Sequence, residues 1–234
     1  MSAQSLVLRH NGFEQRVCFA SVDAAPTHEF LSEGEKKKLA GFQFAAKKEG
    51  FLLGRLAAKR ALGALLEEPD LRQIEVRSGV YGQPLVQNPR GSSAEVTVSH
   101  SHGLAVALAY PPAFPMGIDL ETVAAVAAAT IIGELGASPA EFTWLATSGV
   151  DEATACCVLW TAREALGKAL KVGLNGPLGV LALSEIQPDG AGGWLGRYQN
   201  FPRCQCLSQV KRGRVLSLAM PAEAALKPPV LSLP

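Results

Sequence analysis

The pentapeptide Gly117-Ile118-Asp119-Leu120-Glu121 carries two carboxylates two residues apart. On a strand such residues point to the same face, so Asp119 and Glu121 would stand together with Ile118 and Leu120 buried behind them. Paired carboxylates repel unless a cation lies between them. Mg2+ is a cation of the right kind, because it takes hard oxygen ligands and keeps waters and substrate phosphates in the rest of its shell. A D-x-E pair is also the pattern of a solvated strand edge. The second constellation is Trp160-Thr161-Ala162-Arg163-Glu164-Ala165-Leu166-Gly167-Lys168. In a helix, Trp160, Glu164 and Lys168 share one face, with Leu159, Leu166 and Leu170 toward the other. That face offers either a third carboxylate with an ammonium, or a surface Glu–Lys pair that contributes little.

Other residues suit an anion. Ser99-His100-Ser101-His102 lies beside Gly103, and its hydroxyls and imidazoles can donate hydrogen bonds to phosphate. The H-x-H spacing also reads as a zinc pair, but the chain has only 4 His, and the other two, His10 and His28, fall in an N-terminal strand and loop. Gly82-Gln83-Pro84 offers a tight backbone turn that can meet phosphate. Neither a Walker A nor a G-x-G-x-x-G motif is present, and Cys204-Gln205-Cys206 lacks the C-x-x-C spacing of a metal or redox site.

These groups need elements to position them. Leu6, Leu8, Val17, Phe19 and Ser21 alternate around a turn at Asn11-Gly12 and read as a hairpin. Ser32 with Glu35 is a capping box that opens a helix. Residues 47–66 show a 3.6 period, with Arg55 and Lys59 on one face. Strands are expected at 74–77, 96–98 and 104–109, and Pro111, Pro112 and Pro115 mark a linker. A strand at 116–120 and an Ala-rich helix after Thr122 follow. Ser138-Pro139 caps another helix, a long helix runs from 152 to 171, and strands are expected at 180–186, 194–198, 204–209 and 215–220. The tail from Ala222 is Pro-rich and expected to be loose. Helices followed by antiparallel strands, twice, make an α+β chain of two similar lobes, 1–112 and 113–234.

Composition narrows the class. The chain has 234 residues, 48% hydrophobic and 18% charged, which excludes a disordered or collagen-like polypeptide. Its net charge of +1 argues against a protein that coats polyanions, so no nucleic-acid partner is expected. Charge is nonetheless segregated. Residues 36–60 carry eight Lys and Arg against Glu49, while residues 91–162 carry none. Five Cys without regular spacing read as reduced thiols, and no stretch reads as a signal peptide or membrane span, so a cytoplasmic protein is expected.

Together the motifs resemble the 4'-phosphopantetheinyl transferases, in particular the larger, two-lobed, surfactin-synthetase-activating kind. The resemblance rests on Phe51-Leu52-Leu53-Gly54-Arg55, Gly82-Gln83-Pro84-Leu85, Val98-Ser99-His100-Ser101, the 117–121 pentapeptide and the 160–168 segment, in the family's order. Gly173-Leu174 and Pro177-Leu178 also fit. The chain departs from the family's pattern at Gly50, Gln83 and Arg163, where basic residues, Lys and Lys respectively are usual. The resemblance implies two lobes related by pseudo-twofold symmetry with the active site in a cleft between them, and a monomer. It implies Mg2+-dependent transfer of the phosphopantetheine arm of coenzyme A to a Ser of an apo-acyl or peptidyl carrier protein, with release of 3',5'-ADP. In that reading Asp119, Glu121 and Glu164 hold Mg2+, with Asp119 also on the coenzyme A side. Glu164 accepts the Ser proton, directly or through a metal-bound water, and Lys168 neutralises the leaving phosphate. Arg55, Lys59, Gly82, Gln83, Pro84, Ser99 and His100 bind coenzyme A. Two rival readings remain at this level: a homologue that binds carrier protein or coenzyme A without transfer, and a metal-dependent phosphohydrolase using the same carboxylates.

Overall fold

A computed structural model describes residues 3–24, 27–89, 91, 93–123, 135–227, 231 and 233. The expected Ala-rich helix after Thr122 lies outside them. By internal contacts the chain divides into two units, Met1–Pro115 with Ala224–Pro234, and Met116–Glu223.

The first unit is built on a five-stranded antiparallel sheet. Strands β1 (Gln4–His10) and β2 (Phe13–Val22) form the expected hairpin. Its two turn residues, Asn11 and Gly12, both have positive φ (48° and 82°), the backbone that matches the twist of a two-residue hairpin. Strands β5 (Glu95–Ser101) and β6 (Leu104–Tyr110) complete the order β12-β1-β2-β6-β5. Helix α1 (Glu33–Ala40) leads into α2 (Ala45–Leu66), and β3 (Glu75–Ser78) pairs with β4 (Pro84–Gln87) in a separate hairpin. Helix α2 lies across β2, β5 and β6. Its Leu53, Leu56, Ala57, Ala61 and Leu62 meet Val96, Ala105, Ala107 and Ala109, and the small side chains let helix and sheet approach closely.

The tail departs from expectation. Residues Ala225–Lys227 form β12 on the edge of β1, with Leu8 opposite Leu226, and Leu226, Leu231 and Leu233 are buried. A Pro-rich composition concealed three residues that cap a sheet edge otherwise left with unpaired backbone groups.

The second unit holds the other five-stranded antiparallel sheet, in the order β7-β11-β10-β9-β8. Its strands are β7 (Gly117–Thr122), β8 (Leu183–Pro188), β9 (Trp194–Tyr198), β10 (Cys204–Lys211) and β11 (Arg214–Pro221). Helix α3 (Pro139–Thr147) packs on β8, and α4 (Glu152–Ala169) lies across β7, β10 and β11. The strand expected from Val180 begins later. Val180 N–H donates to Pro177 O and Ala182 N–H to Gly179 O, closing a 3-10 turn before β8.

Gly117 sets how near β7 comes to α4. A Cβ built there falls 1.9 Å from Ala165 O and 2.5 Å from Ala169 N, both backbone atoms that a side-chain rotation cannot clear. Gly117→Ala is therefore expected to destabilise the protein by about 2 kcal/mol or more through overpacking. A urea-unfolding midpoint equal to that of the wild type would contradict this contact.

A buried carboxylate ties each unit together in the same manner. In the second, Ser138 caps the helix as expected, and with Glu141 it forms a capping box. Glu141 is fully buried; its Oε2 accepts from Ser138 N–H (2.7 Å) and Arg163 Nη2 (2.7 Å), and its Oε1 accepts from Leu183 N–H (3.0 Å). One carboxylate thus joins α3, α4 and β8. In the first unit, Ser32 and Glu35 form the box. Glu35 accepts from Ser32 N–H and Val76 N–H and is ion-paired to Lys59, joining α1, α2 and β3.

Candidate functional site

On β7, Gly117, Asp119 and Glu121 share the face that packs on α4, while Ile118 and Leu120 are buried on the other. Asp119 is itself buried, and Lys168 donates from Nζ to its Oδ1 at 2.6 Å. On α4 the residues Cys157, Thr161, Glu164 and Lys168 follow at helical spacing along that face. Beneath the carboxylates, Thr161 Oγ1 lies 2.7 Å from Ser217 Oγ, and Ser217 sits opposite Asp119 in the β7–β11 register. Ser208 Oγ continues the chain at 2.8 Å from Ser217. These fully satisfied hydroxyls pin α4 to β11 below the site. The sequence reading did not single them out. Their signal was the i, i+4 offset of Thr161 from Cys157 on the helix face already in view.

The end of α4 is fixed just where Lys168 needs it. Val172 and Gly173 both donate backbone N–H groups to Gly167 O at 3.0 Å. The returning chain passes so close that a Cβ on Gly167 would lie 2.4 Å from Gly173 O. The Gly167-Lys168 and Gly173 motifs are therefore one structural device, a helix stop with Gly173 at φ 59°.

The electrostatics are those of a site that favours a cation. Burial raises the Glu164 carboxyl above its ordinary value, Asp119 and Glu121 raise it further, and Lys168 alone among its charged neighbours opposes them. The Cys157 thiol is pushed up to about 12 by burial, with Glu121 and Asp119 adding to the shift. Both shifts report negative charge concentrated between β7 and α4.

Among the described residues no three His, Cys, Asp or Glu side chains converge as a preformed metal cluster. The three carboxylates expected to hold Mg2+ are thus neighbours in charge rather than a closed cage. The donor set still fits Mg2+. It is all-oxygen and mutually repelling, and Mg2+ commonly uses one or two carboxylates with substrate phosphates and water completing its octahedron.

Of the residues expected to bind coenzyme A, Asp119 and Lys168 belong to the second unit and the others to the first, and the structure sorts these. Arg55 stacks over Phe51, with Cζ 4.8 Å from the ring centroid, and its Nε stands 3.6 Å from Glu35 Oε1. Burial lowers its value, partly offset by Glu35. Lys38 lies near enough to Arg55 to be lowered by it, after burial, and donates from Nζ to Ser78 Oγ at 2.8 Å.

Lys59 requires a correction. It has no exposed surface, is paired to Glu35, and donates to Phe30 O at 3.0 Å, so it is part of the core clamp and not a surface cation for a phosphate. Arg163, where the resemblance leads one to expect Lys, is likewise fully buried and belongs to the clamp on Glu141 rather than to the carboxylate face.

Gly82 and Gln83 form the β3–β4 turn. Gly82 has φ 81°, Gly79 N–H donates to Gln83 O at 2.7 Å, and Tyr81 N–H donates to Gln83 Oε1 at 2.9 Å. Pro84 begins β4. Gln83 thus spends its carbonyl oxygens on the turn. His100 and Ser99 do not share a face. His100 is exposed and lies over α2, 3.1 Å from where a Cβ on Gly50 would stand, whereas Ser99 is buried on the opposite face of β5. Gly50, where the resemblance leads one to expect a basic residue, leaves the space this imidazole uses.

All five cysteines are free thiols. Among the described residues no helix is long and apolar enough to cross a membrane.

No curated protein matches the chain in a sequence search. Among solved structures it is similar to a holo-(acyl-carrier-protein) synthase from Bacillus anthracis str. Ames in complex with CoA (3',5'-ADP), at 21% identity over 47% of this chain and 96% of that one, TM-score 0.36. It is similar also to the Helicobacter pylori holo-[acyl-carrier-protein] synthase in complex with coenzyme A, at 19% identity over 40% of this chain and 96% of that one, TM-score 0.34. The Thermotoga maritima holo-[acyl-carrier-protein] synthase matches at 23% identity over 44% of this chain and 67% of that one, TM-score 0.34. Residues 115–220, the stretch that contains Asp119, Glu121, Glu164 and Lys168, match the family model of the 4'-phosphopantetheinyl transferase superfamily.

Proposed function

We propose that the protein is a 4'-phosphopantetheinyl transferase that moves the phosphopantetheine arm of coenzyme A to a Ser hydroxyl of an apo-acyl or peptidyl carrier protein. The observation that carries this reading is the coincidence of the family match with the Asp119–Lys168–Glu164 group on facing surfaces of β7 and α4. In the reaction the Ser oxygen forms a bond to the phosphorus that bears the pantetheine arm. The bond from that phosphorus to the bridging oxygen breaks, and 3',5'-ADP leaves. Such a transfer is governed by positioning and charge neutralisation.

Asp119 and Glu121, with Glu164 across from them, are the residues that would hold Mg2+. The ion would neutralise pyrophosphate charge and orient the two reacting groups. Glu164 is the base. Its value, raised by burial and by two neighbouring carboxylates, makes it a stronger proton acceptor than an ordinary carboxylate. Lys168 supplies positive charge to the leaving phosphate. Arg55 and Lys38, near enough for Arg55 to lower the Lys38 ammonium, suit the phosphates of coenzyme A, while the turn at Gly82-Gln83-Pro84 and the His100 imidazole offer further donors. Ser99, on the far face of β5, keeps only a supporting place in this reading. The basic segment 36–60 suits an acidic carrier surface. Two similar lobes are supported by the recurrence of the Ser-x-x-Glu clamp, Glu35 with Lys59 and Glu141 with Arg163.

The test is incubation with an apo-carrier protein, coenzyme A and Mg2+. Phosphopantetheinylation of the carrier supports the reading. Release of 3',5'-ADP without any acceptor would replace it with a phosphohydrolase.

A further inference from the structure

Among the described residues Lys59, Arg163 and Lys168 each make a close pair with a buried carboxylate, and they are held differently. Lys59 has no exposed surface and also donates to Phe30 O. Arg163 has none either, and donates to Leu159 O and Leu178 O as well as to Glu141. Each of these is locked by backbone carbonyls. Lys168 is not. Its side chain is 26% exposed, it ends a flexible four-carbon stem near the end of α4, and its one described hydrogen bond is to Asp119 Oδ1. It stands one helical turn beyond Glu164, and Asp119 shares its face of β7 with Glu121, so the ammonium that pairs with Asp119 lies among further carboxylates.

An ammonium and a hard divalent cation bind the same carboxylate oxygens by the same force. A metal within coordination distance of Asp119 Oδ1 would stand against Lys168 Nζ as a like charge in a poorly solvated place, which is unfavourable unless one of them moves. Lys168 can move, because part of its side chain already reaches water. We propose that Lys168 is a displaceable counter-cation, which a divalent metal must push off Asp119, so that metal binding frees the ammonium to meet substrate phosphate. The inference rests on the metal site of the proposed function. It adds that Lys168 opposes metal binding while assisting transfer.

Lys168→Met keeps the stem and removes the charge. The probe is Mn2+ alone, a hard divalent ion that carboxylates accept, with the free ion counted by its electron paramagnetic resonance signal. Removing the competing ammonium is expected to tighten Mn2+ binding about tenfold, the ratio that sets the scale of one competing charge. The Mn2+-induced rise in melting temperature should be larger in the variant than in the wild type by mass action. Circular dichroism on the same samples confirms that both are folded. Binding to wild type that is equal or tighter than binding to the variant would overturn the proposal and leave the metal site standing. A folded wild type and variant that both fail to bind Mn2+ would overturn the metal site, and the proposal with it.

Discussion

Arg163→Ala is expected to destabilise the protein by about 3–5 kcal/mol, the range for removing one partner of a buried ion pair. The guanidinium meets three acceptors from three directions: Glu141 Oε2 at 2.7 Å, Leu159 O at 3.1 Å and Leu178 O at 3.2 Å. Truncation leaves the Glu141 carboxylate buried with no counter-charge and empties the space between α4 and the 3-10 turn before β8. It also removes the side-chain donor to the Leu159 and Leu178 carbonyls. Arg163→Lys should lose less, because an ammonium can still reach Glu141 but cannot span the carbonyls as well. Denaturant midpoints for the two variants check this. An Arg163→Ala protein within about 1 kcal/mol of wild type would mean that the clamp does not hold the unit together.

Asp119→Ala is expected to reduce carrier modification by about 10³-fold or more while the fold persists, as for loss of a group that stabilises developing charge. The two results fall on different properties, stability and turnover, because of what each side chain does. Arg163 satisfies buried partners. Asp119 instead adds negative charge to a surface where Glu164 already resists ionisation, so its removal relieves repulsion inside the fold. Its partner Lys168 is partly exposed and can turn to water. Turnover of purified Asp119→Ala near the wild-type rate would remove the carboxylate from the mechanism. A melting temperature lowered as far as in Arg163→Ala would make Asp119 a structural residue instead.

The sequence made some of this legible and hid the rest for physical reasons. The D-x-E strand and the Glu164–Lys168 helix face were readable because each depends on local periodicity, and the structure brings Asp119 and Lys168 into contact as that periodicity allows. Both capping boxes were readable for the same reason, since each is written within four residues. The fate of their glutamates was not. That Glu35 would bury Lys59, and Glu141 would bury Arg163, is settled by packing between elements far apart in the chain. Helical spacing places Arg55 and Lys59 on one face but cannot say which of them the core will enclose. A signal was present, in that each box is followed by a long helix with a basic residue in its second half. The tail misled by composition, because a strand of three residues on a sheet edge leaves almost no periodicity to read.

The central claim is tested most directly by weighing an apo-carrier protein after incubation with this protein, coenzyme A and Mg2+. The account predicts a mass increase of one phosphopantetheine on the carrier, absent when EDTA is included and absent when the carrier's acceptor Ser is replaced by Ala. An unchanged mass across fatty-acid, polyketide and peptide carriers, with the protein folded and coenzyme A in excess, would contradict it.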